Sequence, residues 1–139
     1  MTGEERERLI GLALAARENA YAPYSGYAVG AALLTADGRI FQGCNVENAS
    51  YSATNCAERT AIYKAVSEGV RDFVALAVAG GRIGCAPTDY AYPCGICRQV
   101  MQEFCTKEFQ IFAAISGSDY KAFSLGELLP YGFGGEQIQ

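Results

Sequence analysis

Two short stretches carry the residue types that do chemistry. The first is Cys56-Ala57-Glu58-Arg59, at the start of an apolar, helix-patterned segment. The second is Pro93-Cys94-Gly95-Ile96-Cys97, whose first cysteine lies 38 residues beyond Cys56. Thiolate is a strong, soft zinc ligand; structural zinc takes four protein ligands, whereas catalytic zinc takes three and keeps a place for a small molecule. Cys94 and Cys97 have the spacing that lets one turn present two sulfurs, and Cys56 is the natural third. Both stretches begin helices, and the positive end of a helix dipole favours thiolate. We therefore expect Cys56, Cys94 and Cys97 to hold one zinc ion, with Glu58 working beside it. Three thiolates on a divalent ion leave a net negative charge, which Arg59, the nearest cation in sequence, would offset in part.

The chain contains no histidine. Ser-His and Cys-His catalysis are thereby excluded, as are zinc sites that need imidazole. Proton transfer near neutral pH falls to a carboxylate, a thiol, a lysine, a tyrosine or activated water. Glu58 is the leading carboxylate, but helix geometry stands in its way. Positions i and i+2 of a regular helix point about 200° apart. Cys56 and Glu58 can face one metal only if Cys56 sits at the cap, outside regular helix geometry. The local pattern leaves other readings open. Glu58 also fits a first-turn glutamate that complements the helix N-terminus, and Arg59 fits a surface helix position. Cys94-Gly95-Ile96-Cys97 resembles a dithiol redox site, which would leave Cys56 and Glu58 without a role. With Cys44, Cys85 or Cys105 as a fourth ligand, the chain would be a structural-zinc interaction module. As plain thiols, Cys44 and Cys105 suit small apolar core positions.

The 139 residues fit one domain, 1–139. Half of them are hydrophobic and 19% charged, enough for a single core without staples. The net charge is -4 and there is no basic run. Phosphate binding leaves a Lys/Arg footprint, so a nucleic-acid partner is not expected and a small molecule is. The charged stretch Met1–Arg8 is not a secretory signal, and no apolar run reaches membrane-spanning length. A cytoplasmic location follows. A reducing compartment would keep the six cysteines as thiols and ligands.

The elements that must bring the two stretches together can be read from periodicity and punctuation. Thr2 and Glu5 have capping-box spacing, and Leu9, Ile10, Ala13, Leu14, Ala16 and Ala20 recur at helical intervals, giving a helix over about 2–19. Pro23 and Gly26 break it. Strands are expected over Tyr27–Thr35 and Arg39–Cys44, joined by a two-residue hairpin at Asp37-Gly38. Asn45–Ser52 is too rich in Asn and Ser for regular structure. A second helix runs from about Cys56 to Glu68, capped by Gly69. Phe73–Ala79 is continuously apolar, as a strand buried on both faces should be. A Gly/Pro-rich loop spans Gly80–Tyr92, and Pro93 suits the first turn of a third helix reaching Phe104. Phe109–Ile115 is a further strand, Ser116–Asp119 a turn, and Ser124 with Glu127 a second capping box before a short helix ended by Pro130. The tail after Pro130 is expected to add a strand. A hairpin feeding two strand-helix-strand units gives an α/β fold: a mixed, roughly five-stranded sheet with helices on both faces, in three layers. Right-handed crossovers then place the starts of the second and third helices on one sheet edge.

Taken together these residues resemble the cytidine deaminases of the small, three-cysteine zinc type. The resemblance runs through Tyr21-Ala22-Pro23-Tyr24-Ser25, Val29–Leu33, Asp37-Gly38, Gly43–Tyr51, Cys56–Ala61, Pro93–Gln99 and Glu127–Pro130. Cys56–Ala61 and Pro93–Gln99 are its most specific parts. It implies zinc held by Cys56, Cys94 and Cys97, one ion per subunit, and Glu58 as the group that moves protons between water, ring N3 and the departing amino group. It implies that free cytidine and deoxycytidine are hydrolysed to uridine and deoxyuridine with release of ammonia. The resemblance also implies that Asn45 and Glu47 match the positions that hold the ribose, that the Ala57 backbone would contact the base, and that Arg59 matches the arginine that hydrogen-bonds the ligand thiolates. Tyr27 stands where the family usually has phenylalanine, keeping an aromatic wall but adding a hydroxyl. Phe133 matches a tail aromatic inserted into a neighbouring subunit's site, and the implied assembly is a homotetramer with shared active sites. The Gly80–Tyr92 loop is unusual, and the resemblance gives it no function. A deaminase of a related aminopyrimidine nucleoside, such as blasticidin S, would share the zinc pattern; Asn45 and Glu47 favour cytidine.

Overall fold

The computed structural model describes residues 1–139. Helix α1 (Gly3–Ala16) opens on a full capping box: Glu5 N–H donates to Thr2 Oγ1 and Thr2 N–H donates to Glu5 Oε1, both at 3.1 Å. The α-helix stops at Ala16, and Arg17–Asn19 tighten into a 3-10 turn instead of extending it. Strand β1 (Tyr27–Thr35) has the expected bounds. It pairs antiparallel with β2 (Ile40–Cys44), from Leu34↔Ile40 to Gly30↔Cys44. The hairpin loop is one residue longer than the Asp37-Gly38 pattern suggested. Thr35 N–H donates to Arg39 O at 2.9 Å, so the loop is Ala36-Asp37-Gly38, with Gly38 at φ +89°. The 45–56 segment is irregular, apart from isolated bridges of Val46 to Tyr21 and Asn55 and a 3-10 turn at Tyr51–Ala53.

Helix α2 (Ala57–Ser67) is followed by Gly69 at φ +87° and strand β3 (Phe73–Arg82), which takes in three residues, Gly80-Gly81-Arg82, that composition had assigned to the loop. They pair with Val29, Ala28 and Tyr27, so partner strand β1 extends β3 beyond its apolar run. Helix α3 (Gly95–Phe104) starts two residues after Pro93, which precedes the cap and lies outside the first turn. Strand β4 (Gln110–Ala114) runs parallel to β3, and β5 (Tyr120–Ser124) returns antiparallel to β4. The fifth strand is therefore Tyr120–Ser124, and the tail, expected to supply it, forms only a 3-10 turn at Gly135–Gln137. Ser124 ends β5 and caps α4 (Leu125–Leu128) in the expected box with Glu127.

The sheet order is β2-β1-β3-β4-β5. Alternation along the strands sorts the core into two layers. Leu9, Ile10 and Ala13 of α1 pack on Ala32, Ala75, Ala77 and Phe112; Ala61, Ile62, Cys97 and Met101 of α2 and α3 pack on Ala31, Leu33, Leu76, Val78 and Ile111. β2 and β3 are both antiparallel to β1, hence parallel to each other, and β4 is parallel to β3. The crossovers through α2 and α3 step the same way across the sheet, so right-handed connections put both helices on one face. Each helix begins where a parallel strand ends, which brings the two N-termini to the same edge.

Candidate zinc centre and its pocket

Cys56 is the N-cap of α2, in extended conformation (φ -75°, ψ 155°). Cys94 is the N-cap of α3, almost the same (φ -68°, ψ 169°). This extended step resolves the conflict between Cys56 and Glu58. Only Glu58 has helical geometry, so the 200° separation of a regular helix does not apply, and the two side chains line one cavity. Cys97 follows in the first turn of α3 and is fully buried.

The Cys56 and Cys94 sulfurs are 3.7 Å apart, those of Cys94 and Cys97 3.6 Å, and all three lie within 4.8 Å of one another. Tetrahedral zinc with Zn–S of ~2.3 Å sets its sulfurs about 3.8 Å apart. A disulfide needs about 2.05 Å. The three thiols are free and spaced as zinc requires, and Cys44, Cys85 and Cys105 do not join the group. A four-sulfur structural site therefore has no fourth sulfur. Burial raises the Cys105 thiol to about 12 and lifts Cys44 too; both are half-buried, Cys105 packed against the core and Cys44 outside it.

The electrostatics suit an anionic centre. Arg59 Nη2 donates to Cys56 Sγ at 3.2 Å, while Arg59 Nε is buried without a partner. Burial opposes the Arg59 charge, but its bonds to Cys56 and Cys97 outweigh it and hold the guanidinium more firmly protonated than usual. The Cys56 thiol is lowered to about 5, first by its hydrogen bond with Cys97 and, against the effect of burial, by Arg59 and Cys94. Cys97 is raised, first by the same bond to Cys56 and then by burial. Glu58 is only 4% exposed. Burial pushes its carboxyl up to about 7; its own backbone N–H works against this and the Cys56 thiolate adds to it.

Cys56, Ala57, Glu58 and Cys94 line a cavity of 330 Å³ whose other walls include Tyr27, Val29, Asn45, Val78, Ala91 and Tyr92. Asn45 does line the pocket, but its amide is also an anchor. Its Oδ1 accepts from Val29 N–H at 2.9 Å and its Nδ2 donates to Tyr27 O at 2.8 Å. One N–H and one lone pair remain for a ligand. Glu47 is not among the lining residues. Its Oε1 accepts from Tyr24 N–H at 2.9 Å and Ser25 N–H at 3.0 Å, and the Ser25 hydroxyl donates to Oε2. These bonds, the Ser25 hydroxyl foremost, hold its carboxyl below the usual range. The Tyr27 hydroxyl has no partner within the chain, while its ring stands where a side chain on Gly80 would have to be. Phe133 is 56% exposed and outside the pocket; Gln99 Nε2 holds its carbonyl at 3.0 Å.

Ala91 and Tyr92 are pocket residues that the sequence did not single out, and adjacency to Pro93-Cys94 was their only signal. The loop before them is fastened to β5 and its turn. The Tyr90 hydroxyl donates to Asp119, Lys121 sits 4.8 Å over the Tyr90 ring, and Tyr92 meets Phe123 edge-on at 5.9 Å. Ala91 and Tyr92, at the end of the Gly80–Tyr92 segment, thus form one wall of the cavity.

A mixed α/β sheet with three thiols gathered at two helix starts, beside a buried carboxyl, defines a zinc-binding deaminase class of fold and site. The family described as the cytidine and deoxycytidylate deaminase zinc-binding region matches residues 3–113. A curated cytidine deaminase of Sporosarcina psychrophila is 49% identical over 132 residues, covering 95% of this chain and 93% of that protein. The crystal structure of a cytidine deaminase from Burkholderia pseudomallei superposes with a TM-score of 0.83 at 48% identity, covering 96% of this chain and 100% of that one. One from Mycobacterium tuberculosis gives 0.76 at 41%, covering 91% and 95%. The chain belongs to the cytidine and deoxycytidylate deaminase family.

Proposed function

We propose that this chain is a zinc-dependent hydrolase that converts free cytidine and deoxycytidine to uridine and deoxyuridine, as in pyrimidine salvage. The observation that carries the reading is the three-thiol group at zinc spacing beside Glu58 in a cavity of 330 Å³. Cys56, Cys94 and Cys97 are the ligands, and Arg59 neutralises part of their charge. Bound zinc supplies the Lewis acidity that activates water near neutral pH. Glu58, almost fully buried in the same cavity wall as Cys56 and Cys94, is the group placed to act first as base and then as acid. It takes a proton from the attacking water and passes it to ring N3, then takes the proton of the new C4 hydroxyl and passes it to the amino group, which leaves as ammonia as C4 becomes a carbonyl.

The Ala57 backbone contacts the base, and Tyr27 forms an aromatic wall. Asn45, with its one uncommitted N–H, and the ionised Glu47 hold the sugar hydroxyls. A carboxylate there repels a phosphate, which selects free nucleosides over nucleotides and polynucleotides. The exposed Phe133 enters the site of a neighbouring subunit, which makes the active form a homotetramer with shared sites. The whole chain acts as one catalytic domain in the cytoplasm; no helix is long and apolar enough to cross a membrane. The loss of cytidine absorbance in the ultraviolet, measured with and without a chelator, tests the activity. Turnover that stops on chelation and returns with zinc is expected. Full turnover by thoroughly zinc-stripped protein would refute it.

A further inference from the structure

Cys94 is the most exposed of the three thiols, and no side chain caps its helix. Something else must fix its direction. The Arg98 backbone N–H donates to Cys94 O at 3.0 Å, and the Arg98 side chain, through Nε, donates to Pro93 O at 2.8 Å. These carbonyls belong to the two peptide units on either side of the Cys94 Cα. One residue thus holds both planes, and with them the extended φ and ψ that aim the Cys94 sulfur. A second arm of the same guanidinium, Nη1, donates to Leu128 O at 2.9 Å, at the end of α4. The next residue, Gln99, holds the Phe133 carbonyl.

Cys56 is held differently. Its carbonyl accepts from both the N–H and the hydroxyl of Thr60, at 3.0 and 3.2 Å, and Asn55 Nδ2 donates to that hydroxyl. Those contacts stay within α2 and its entry. The Asn55 carbonyl, in the peptide unit before Cys56, also accepts from the Val46 backbone N–H at 3.0 Å, so both ligand turns are tied to a neighbouring segment, but only at Cys94 is that tie made by a side chain.

We propose that Arg98 is a positioning residue for the Cys94 thiolate, clamping the Pro93-Cys94 turn to the end of α4 so that metal retention depends on the C-terminal segment. It touches neither zinc nor substrate. Losing an outer-shell partner of a metal ligand costs about 10–100-fold in metal affinity or activity. A planar guanidinium meets two carbonyls at once through separate N–H groups, which a single ammonium at the end of a flexible stem reproduces poorly.

This inference rests on the three-thiol zinc reading, and the test separates the two. Zinc-loaded protein is mixed with a chromogenic chelator, and zinc release is timed for wild type, Arg98→Met and Arg98→Lys, alongside thermal melts of the zinc-loaded and zinc-free forms. We expect release about tenfold or more faster in Arg98→Met, with Arg98→Lys in between. The rise in Tm that zinc confers should shrink, while the zinc-free melts differ far less. Wild-type release rates in both variants overturn the proposal, as does an equal fall of both melts with unchanged release. Should Arg98→Met fail to fold, Arg98→Lys decides alone: wild-type release overturns the proposal and faster release supports it. Wild-type protein that retains no zinc would sink the zinc reading itself.

Discussion

Replacing Glu58 by Gln keeps the size and shape of the side chain but removes its proton chemistry. Two consequences can be worked from the structure. The first is catalytic. General acid–base catalysis by a positioned group contributes about 10²–10⁴-fold, and Glu58 serves more than one proton transfer, so kcat should fall by at least that range while zinc content stays at one per chain. The second is thermodynamic and concerns the metal-free protein. The Glu58 pKa is raised from 4.5 to about 7, burial being the main cause. A carboxyl whose folded value lies above its unfolded value binds more protons when folded, so it costs stability as pH rises between the two values. At 1.36 kcal/mol per pKa unit, the full penalty is about 3 kcal/mol above pH 7 and negligible near pH 4. Gln carries no such penalty. Denaturant melts of chelator-treated wild type and Glu58→Gln should therefore diverge with pH: the variant is more stable by about 3 kcal/mol at pH 8, and the gap closes by pH 4. A gap that stays constant across this range, or a variant turning over within tenfold of wild type, would refute the assignment of Glu58 as a buried proton carrier.

Other expectations follow from single contacts. A methyl group at Gly43 would stand 2.5 Å from both Ala57 O and Ala61 N, so Gly43→Ala should push α2 off the sheet, cost about 1–3 kcal/mol in denaturant melts and lower turnover by shifting Cys56 and Glu58. Glu47→Gln should raise KM for cytidine about tenfold with a much smaller effect on kcat, because sugar contacts are made in ground and transition states alike; an unchanged KM would remove Glu47 from the sugar site. In metal-free protein the Cys56 thiol, lowered to about 5, should react with a disulfide reagent at pH 6–7 far faster than an ordinary thiol. Zinc should abolish that reaction, and zinc-independent reactivity would count against Cys56 as a ligand.

The parts of this fold that were legible in the sequence share one property: the signal and its physical cause lie within a few residues. The Thr2–Glu5 and Ser124–Glu127 boxes, the bounds of β1 and the cap position of Cys56 are of that kind. Strand β5 is the counter-example. Tyr120-Lys121-Ala122-Phe123-Ser124 has no apolar run and no fully buried residue; its pairing is supplied by β4, far more than by its own pattern. Gly80–Arg82 were hidden for the same reason, being strand only because β1 continues beside them. In the site, residue types and cap positions revealed the thiols and Glu58. They did not reveal that Asn45 also anchors β1, that Ser25 holds Glu47, or that Ala91 and Tyr92 form a wall, since each depends on segments that meet only after folding.

The split of the three thiols between two crossovers has a consequence for how the protein is made. Cys94 and Cys97 lie on one turn and are neighbours as soon as that turn forms. Cys56 joins them only when β3 lies along β1, from Tyr27↔Arg82 to Leu34↔Ala75. A two-thiol turn is an incomplete ligand set, so tight metal capture must wait for the sheet. During synthesis, the emerging chain passes through a stage in which α1, the hairpin and α2 are available but no complete site exists. Zinc then acts as a late latch on finished architecture, and it leaves partly folded or truncated chains without their metal.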